Sequence, residues 1–321
     1  MELTAAEEYD AFGPWVDEVT DAGQVPRLFR SHSFDLSATS IVLKIPRDIV
    51  RRDANPSMHL YDALVIVDAR QTTVLERQGA TFSTRSVAHD SLVAITNSSD
   101  LLDGRFELVV DDGAAVSLRY NGSSQPTLER LMRVLRELSR PAGVARAAAH
   151  PFPVAGSTRA LDRDAQDYGL LSEWDAVLAR EPGLAPGFDR VVGYRSRVVA
   201  PIAGGLTRAL HRVRPMRLQG AIVGETPAEV HLVHRRAWLH RSSKEDISIA
   251  HTVILRGSGA AYEIAAHPAY EGVDVVRVLA GRGAVELAMP ADASTPNRAR
   301  ADRSRTRRSR AAPGRGRTAS S

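Results

Sequence analysis

The chain has 321 residues, enough for about two domains, and 43% of them are hydrophobic, which suffices for real cores. It contains no cysteine, which excludes disulfides, zinc–thiolate sites, iron–sulfur clusters and cysteine nucleophiles. The net charge of +4 hides a division, because residues 298–321 hold nine Arg and one Asp (net +8), whereas the remaining 33 basic and 37 acidic residues give −4.

The N-terminal region predicts a short helix that docks on a neighbouring sheet. Thr4 and Glu7 have the spacing of a capping box, and Gly13-Pro14 interrupts the helical pattern. Trp15 stands out because aromatic residues make up only 5% of the chain. We expect it to be a packing residue, and the alternative is a partner-binding patch.

The first residues are acidic and are not followed by an apolar segment, which is the opposite of a signal peptide. No run of about 18 apolar residues is present, so we expect no membrane-spanning helix. The expected compartment is therefore the cytoplasm.

A basic segment follows the first predicted strand, which covers residues 40–45 and ends at Pro46. Arg47, Arg51 and Arg52 lie in this segment beside two aspartates. We identify these three arginines as candidate anion-binding residues. The alternative is a solvated loop in which the mixed charges make local ion pairs.

A series of short strands comes next and ends in the clearest local signal of the chain. Apolar, β-branched segments predict strands at residues 63–68, 73–77, 81–87 and 91–96. Residues 105–110 and 115–120 then alternate apolar and polar side chains, which places one set inward. Asp112-Gly113 between them supplies the positive φ angles that a tight hairpin needs.

An amphipathic helix is predicted directly after this hairpin, at residues 127–138. Pro126 suits its first turn because proline lacks the N–H that would be unpaired there. The apolar residues at helical spacing are Leu128, Leu131, Met132, Leu135 and Leu138. Since the preceding sheet has an apolar face to cover, we expect the helix to pack on it.

In element order, the first half resembles the bacterial pleckstrin-homology-like domain, a meander of about six or seven strands capped by one helix. The resemblance is carried by residues 64–77, 101–120 and 127–138. It implies a curved antiparallel sheet or partial barrel, with the basic segment of residues 47–52 near loops that bind anions in some members. Residues 12–16 and the hairpin also resemble an uncharacterised actinobacterial family, which implies no activity.

We predict an α+β chain with two sheet-rich domains, at residues 1–140 and 159–291. A linker rich in Pro, Ala and Gly, residues 141–158, separates them. The second domain shows helical patterns at 161–180 and 206–213, and strand patterns at 219–223, 229–235, 237–241, 247–254, 261–266, 273–279 and 283–288.

Residues 270–288 echo the hairpin of residues 103–120, which suggests a degenerate tandem repeat. The second copy lacks a closing helix, and the helix at 161–180 is a substitute for it. The alternative is a chance likeness, because hairpins resemble one another.

The candidate chemistry is sparse. His231, His234 and His240 form the one histidine cluster, but the odd spacing places His231 and His234 on opposite faces of a strand. His89, Asp90 and Ser91 have the residue types of a catalytic triad. Their side chains cannot converge as a triad requires, because the three residues are adjacent in sequence. We therefore predict no catalytic residue, metal ligand or cofactor.

The C-terminal segment, residues 292–321, is low in apolar residues and is expected to be disordered. Its arginines are candidates for contact with phosphates of nucleic acid or anionic lipid, and we single out Arg303, Arg305, Arg307, Arg308 and Arg310. The alternative is a solvated, unselective tail.

Three functional hypotheses follow from these patterns. The first is a non-catalytic cytoplasmic binding or scaffold module that acts through an unknown protein partner or an acidic surface, the latter through residues 298–321. The second is nucleic-acid association through the same segment. The third is an enzyme with a pocket between the two domains.

Overall fold

The structure is a computed structural model that describes residues 3–140, 152–154, 161, 167–205, 211, 213–241, 246–256 and 261–293. Its regular elements are mostly antiparallel strands together with α-helices, so the expected α+β class is confirmed. Most of the predicted linker, most of the predicted helix at 206–213 and all the arginines of the C-terminal segment lie outside the described residues.

The N-terminal half opens with helix α1 (Ala5–Asp10), where Thr4 and Glu7 form the predicted capping box. A five-stranded antiparallel sheet follows. Its strands are β1 (Asp17–Glu18), β2 (Thr39–Pro46), β3 (Tyr61–Asp68), β4 (Gln71–Gln78) and β5 (Thr81–Ala88), and each pairs with the next.

The segment between α1 and β1 corrects one expectation. Phe12 is buried and makes an edge contact with Tyr61 at 6.1 Å between ring centroids, as expected for a docking residue. Trp15 is 57% exposed instead. Its ring lies over Gly13, where an added Cβ would stand 2.6 Å from the indole, so the side chain packs on its own segment rather than on the sheet.

Three more strands and a helix complete this half: β6 (Leu92–Asp100), β7 (Asp103–Val110), β8 (Ala115–Asn121) and α2 (Gln125–Leu138). The predicted apolar stripe of α2 is buried, since Leu128, Leu131 and Leu135 are at most 1% exposed. They pack with inward residues of both sheets, so the helix covers the core as predicted.

The second half begins with helix α3 (Tyr168–Arg180). Its strands are β9 (Arg190–Tyr194), β10 (Arg197–Val199), β11 (Met216–Leu218), β12 (Ala221–Glu225), β13 (Glu229–His234), β14 (Leu239–His240), β15 (Ile249–Leu255), β16 (Ala261–Ala266), β17 (Val273–Ala280) and β18 (Gly283–Pro290). Two three-stranded sheets form, β10-β11-β14 and β16-β17-β18. No described helix combines the length and the apolar character needed to cross a membrane.

One seven-stranded antiparallel sheet joins the two halves, in the order β8-β7-β6-β15-β13-β12-β9. The join is the pairing of β6 with β15, which runs from Ser99 opposite Ile249 to Ala94 opposite Ile254. The sheet therefore passes through the expected division between residues 1–140 and 159–291. That division stays a prediction, but it does not coincide with a break in hydrogen bonding.

The second-half strands of this sheet are covered on both faces. Trp174 and Val177 of α3 pack against Val233 on one face. Val230 and Leu232, which alternate with Val233 along β13, belong to the opposite core together with residues of β17 and β18. Successive side chains of β13 thus point to opposite faces of the sheet and pack into two separate cores.

The two hairpins that prompted the repeat hypothesis meet at their turns. Gly113 adopts a φ of 87°, as the predicted Asp112-Gly113 corner requires. The carbonyl of Asp111 accepts hydrogen bonds from the backbone N–H groups of Arg282 (2.5 Å) and Gly283 (3.0 Å). The repeat itself stays a prediction.

The fold makes a prediction about α2. Because Leu131 is fully buried, Leu131→Ala should lower the free energy of unfolding by about 2–5 kcal/mol, through lost apolar burial and a residual cavity. Urea denaturation of the full chain measures this, with Val50→Ala, at a 56% exposed position, as the control. Equal effects of the two substitutions would contradict the assignment of α2 to the core.

Candidate docking cleft and buried polar junction

An open cleft of about 430 Å³ lies between the loop after β2, the β6–β7 turn and the end of β8. Its walls mix charged and apolar side chains. The lining residues are Pro14, Pro46, Arg47, Asp48, Ile49, Asp62, Leu102, Asp103, Arg119, Tyr120 and Asn121. We call this the rim cleft.

The three candidate anion-binding arginines of the β2–β3 loop have different partners. Arg47 lines the rim cleft and donates to the carbonyl of His59 at 3.2 Å. Arg51 donates to two backbone carbonyls and lies 5.0 Å over the ring of Tyr9. Arg52 is exposed and stands beside a neighbouring aspartate. Anion binding by this loop stays a prediction, and within it only Arg47 lines the rim cleft.

A denser group of arginines surrounds one carboxylate at the edge of this cleft. Arg236 donates to Asp103 at 2.7 Å, Arg119 lies 3.3 Å away and Arg105 lies 3.6 Å away. Partial burial raises the pKa of Asp103, but the hydrogen bond and charge of Arg236, with help from the other two arginines, outweigh it and lower the pKa. We call Arg105, Arg119 and Arg236 the arginine cluster.

The positions of the arginines in the arginine cluster are unfavourable for sheet pairing. Arg105 and Arg119 stand directly opposite each other on β7 and β8, and like charges in that register repel. The Nε atoms of Arg105 and Arg236 are also buried without a hydrogen-bond partner among the described residues. Such unsatisfied buried donors are uncommon in folded proteins.

The turn next to Asp103 is apolar and exposed. Leu101 and Leu102 form the two-residue connection between β6 and β7, and their exposed fractions are 77% and 66%. Leu101 has a φ of 54°, the only positive φ of a non-glycine residue in the described part of the chain. Side chains with a Cβ adopt this region at a cost of about 1–3 kcal/mol, and such strain concentrates at functional sites.

A second polar group, buried instead of exposed, connects the two halves. Arg136 of α2 donates to Glu229 of β13 at 2.7 Å and to Glu181, which follows α3, at 2.5 Å. His231 lies 3.1 Å from the same carboxylate and 3.2 Å from the ring of His251. We call Arg136, Glu229, His231 and His251 the polar junction.

Burial controls the ionisation of the junction. Burial alone would raise the pKa of Glu229, but the hydrogen bond from His231 and the charge of Arg136 lower it to about 2. Burial lowers the pKa of His231 despite its bond to Glu229. It lowers the pKa of His251 further, helped by the charges of His231 and Arg136. We therefore assign an Arg⁺–Glu⁻ pair beside neutral histidines.

The sequence-predicted histidine cluster does not assemble. His231 faces α3 and His234 faces the opposite side of the sheet, where it stacks on Trp238, so the predicted opposition of the two is confirmed. His240 lies on β14 in another sheet. Among the described residues, no group of three His, Asp or Glu side chains is arranged to hold a metal ion.

His89, Asp90 and Ser91 form a turn of 3₁₀ helix rather than a triad. The ring of His89 is buried and contacts the hydroxyl of Thr72 at 3.1 Å, whereas the Ser91 hydroxyl donates to a backbone carbonyl. The side chains do not converge, as predicted.

A smaller cleft of about 340 Å³ adjoins the polar junction at the ends of α2 and α3. Several arginines line it, but Arg136 binds Glu229 and Glu181, and Arg180 binds Glu173 at 2.7 Å. Arg133 also lines this cleft, and its buried Nε has no hydrogen-bond partner among the described residues. Neither cleft is lined by His231, His234 or His240.

Comparisons of the chain with protein-family models, with curated proteins and with solved structures find no match. The resemblance to a pleckstrin-homology-like domain and to an actinobacterial family therefore stays a prediction.

Sequence reasoning missed both features at the level of residues. Arg105 and Arg119 alternate with the apolar positions of the two predicted strands, so both belong to the polar face of the predicted hairpin and that pair could have been found. Arg236 approaches Asp103 only because β6 pairs with β15, and no local pattern indicates that pairing.

Three buried histidines, of which His231 and His251 belong to the polar junction and His234 lies on the opposite face of the sheet, predict a loss of stability in acid. His231, His234 and His251 have folded-state pKa values below 6.5, that of His234 about 4, so the unfolded chain binds their protons first. Their contribution is present above pH 6.5 and is lost as the pH falls through 6.5 toward 4. Glu229 adds a loss between pH 4.5 and about 2, because its folded-state pKa is lowered too.

Urea denaturation across this pH range measures the effect. We expect His234→Gln to flatten the dependence between pH 6.5 and 4, and Val50→Ala, at an exposed position without a titratable group, to leave it unchanged. A constant free energy of unfolding from neutral pH down to pH 4 would show that the histidines are not buried as neutral groups.

Proposed function

We propose that the protein is a non-catalytic binding module that acts through a protein partner. The observation that carries the proposal is the exposed Leu101–Leu102 turn beside the rim cleft, with Leu101 held at positive φ. Exposed apolar residues next to a concave, partly charged surface are typical of interaction sites. The presence of leucine where glycine or asparagine would be less strained supports the same role.

The order of elements supports a module of the pleckstrin-homology-like type. In the first half, β2–β5 form one sheet, β6–β8 continue into the other, and α2 covers the core between them. The second half has a related order, four strands (β9, β12, β13, β15) followed by three (β16–β18). We propose that it is a degenerate copy, with α3 in place of a closing helix.

The proposed binding surface stands on a rigid frame. β6 and β7, which carry the Leu101–Leu102 turn, lie inside the seven-stranded sheet, and the carbonyl of Leu102 accepts from the N–H of Gly122 at 2.8 Å. A surface that is already ordered loses little conformational entropy when it binds.

The charge of the C-terminal segment favours a second candidate function. Residues 298–321 carry +8 next to a body of −4, so this segment is suited to an acidic surface, either anionic lipid or nucleic acid. The candidate contacts are Arg303, Arg305, Arg307, Arg308 and Arg310. This activity is independent of the rim cleft.

Site-specific photo-crosslinking tests the first function. A photoreactive phenylalanine analogue in place of Leu102 should give a discrete protein adduct in the source cells, because this residue lies at the proposed interface. The same analogue in place of Val198, which is 56% exposed on β10, should give none. Absence of an adduct from position 102, or equal adducts from both positions, would disprove the proposed function.

Truncation tests the second function. A chain ending at residue 297 should lose salt-sensitive binding to anionic vesicles and to DNA, because the remaining body is negatively charged. A full chain with lysines in place of the nine arginines should keep it, since phosphate neutralisation depends on charge. Unchanged binding after truncation would contradict a role for the segment, and binding to DNA but not to vesicles would favour nucleic acid.

A further inference from the structure

We propose that residues 152–154, with the sequence Phe-Pro-Val, are a tethered peptide ligand of a recognition pocket in the second half of the chain. The pocket takes an aromatic residue followed by proline and an aliphatic residue, and the chain's own segment occupies it. This pocket shares no residue with the rim cleft, so the inference does not depend on the proposed function.

The segment is buried although the sequence predicts a linker around it. Phe152 is 1% exposed and Val154 is fully buried, and both belong to the core between the seven-stranded sheet and the β16–β18 sheet. The ring of Phe152 meets the ring of Tyr262 edge to face, with the centroids 5.3 Å apart. The other buried members of this core all come from strands, so the segment fills a space that the strands enclose.

Two charged side chains hold both backbone polar groups of Phe152. Its N–H donates to Oε1 of Glu225 at 2.8 Å, and its carbonyl accepts from Nη2 of Arg190 at 2.7 Å. Glu225 and Arg190 are register partners on β12 and β9 and bind each other at 2.7 Å. Arg256 also donates to Glu225, which is 6% exposed, so the second half itself fixes this pair. We call Glu225 and Arg190 the clamp.

The backbone of the segment does not join a sheet. Residues 152–154 belong to no strand among the described elements. Pro153 has no N–H, and the N–H of Val154 donates to the carbonyl of Phe152 at 2.7 Å, which closes a tight turn around the proline. Buried N–H groups need acceptors, and the clamp and the turn supply them without a strand ladder. The segment is therefore held as a bound peptide is held, by apolar pockets and a few polar contacts.

The tether decides which ligand occupies the pocket. Phe152 follows Arg140, the last described residue after α2, by twelve positions, so the segment stays near its pocket even after it leaves. Short tethers give effective concentrations in the millimolar range. A free peptide of the same pattern therefore competes weakly with the chain's own segment, and removal of the two anchoring side chains opens the pocket to it.

Fluorescence anisotropy with a labelled synthetic peptide of residues 150–156 tests the inference on the full chain. The double variant Phe152→Ala/Val154→Ala, which we call the emptied variant, should bind this peptide. The unaltered chain should bind it roughly tenfold or more weakly, because its own segment competes. Val154→Ala alone keeps the aromatic anchor and should give an intermediate affinity. A peptide with alanine at both anchoring positions should bind to neither chain.

Two further substitutions in the emptied variant separate the clamp from the rest of the surface. Arg190→Ala removes the donor to the carbonyl of Phe152 and should weaken peptide binding roughly tenfold or more, the loss expected for a charge-assisted hydrogen bond. Arg277→Ala removes an arginine of β17, which pairs with Glu286, and should leave peptide binding unchanged.

Urea denaturation checks that each variant folds and gives a second measure of binding. The peptide should raise the urea midpoint of the emptied variant and not that of the unaltered chain, since a ligand stabilises a folded state only where its site is free.

An emptied variant that folds but does not bind the peptide would overturn the inference, as would equal affinities of the emptied and unaltered chains or equal effects of Arg190→Ala and Arg277→Ala. An emptied variant that fails to fold even with saturating peptide would overturn it too, because the segment would then be an inseparable part of the core. None of these results bears on an adduct at position 102, so this inference and the proposed function fail separately.

Discussion

The antiparallel pairing of β6 with β15 is the interaction on which the rest of the structure depends. Without it, each half would expose a long strand edge, which is prone to pair with other chains. The pairing also completes the first core, because Val253 and Leu255 of β15 pack with the residues under α2. The two halves therefore share both a hydrogen-bond ladder and a hydrophobic core, and both of these need residues from each half.

The polar junction is a second contact between the two halves. Arg136 is 1% exposed and Glu229 is equally buried, so each charge would be very unfavourable without the other. Their pairing fixes α2 relative to β13, and His231 contacts the same carboxylate oxygen, Oε2, that Arg136 binds. His231, one of the three histidines that the sequence singled out, thus contributes to the contact between α2 and β13. Apolar residues of the same volume could be as stable but would specify this register less strictly.

The rim cleft has the opposite character, because its charges are partly or fully exposed and mixed with apolar side chains. It draws on Pro14 before β1, the loop after β2 and the β6–β8 hairpins, and Arg236 from the second half binds Asp103 at its edge. The surface therefore depends on the inter-half sheet for its shape. A leucine at positive φ and the direct opposition of Arg105 and Arg119 are residue choices that the fold itself does not favour.

The sequence by itself determined the local elements. The Asp112-Gly113 corner, the alternating strands around it and the apolar stripe of α2 follow from side-chain period and turn chemistry, which act over a few residues. Strands β9, β10 and β11 escaped prediction because they are short and rich in Arg and Gly, so their pairing rather than their composition makes them strands. Only the tertiary structure decided that β6 meets β15, that Glu229 meets Arg136 and that Arg236 reaches Asp103. These contacts join residues 93 or more positions apart. The pairing of strand edges and of buried charges depends on the energy of the whole packed structure, and the local periodicity of the sequence does not encode that energy.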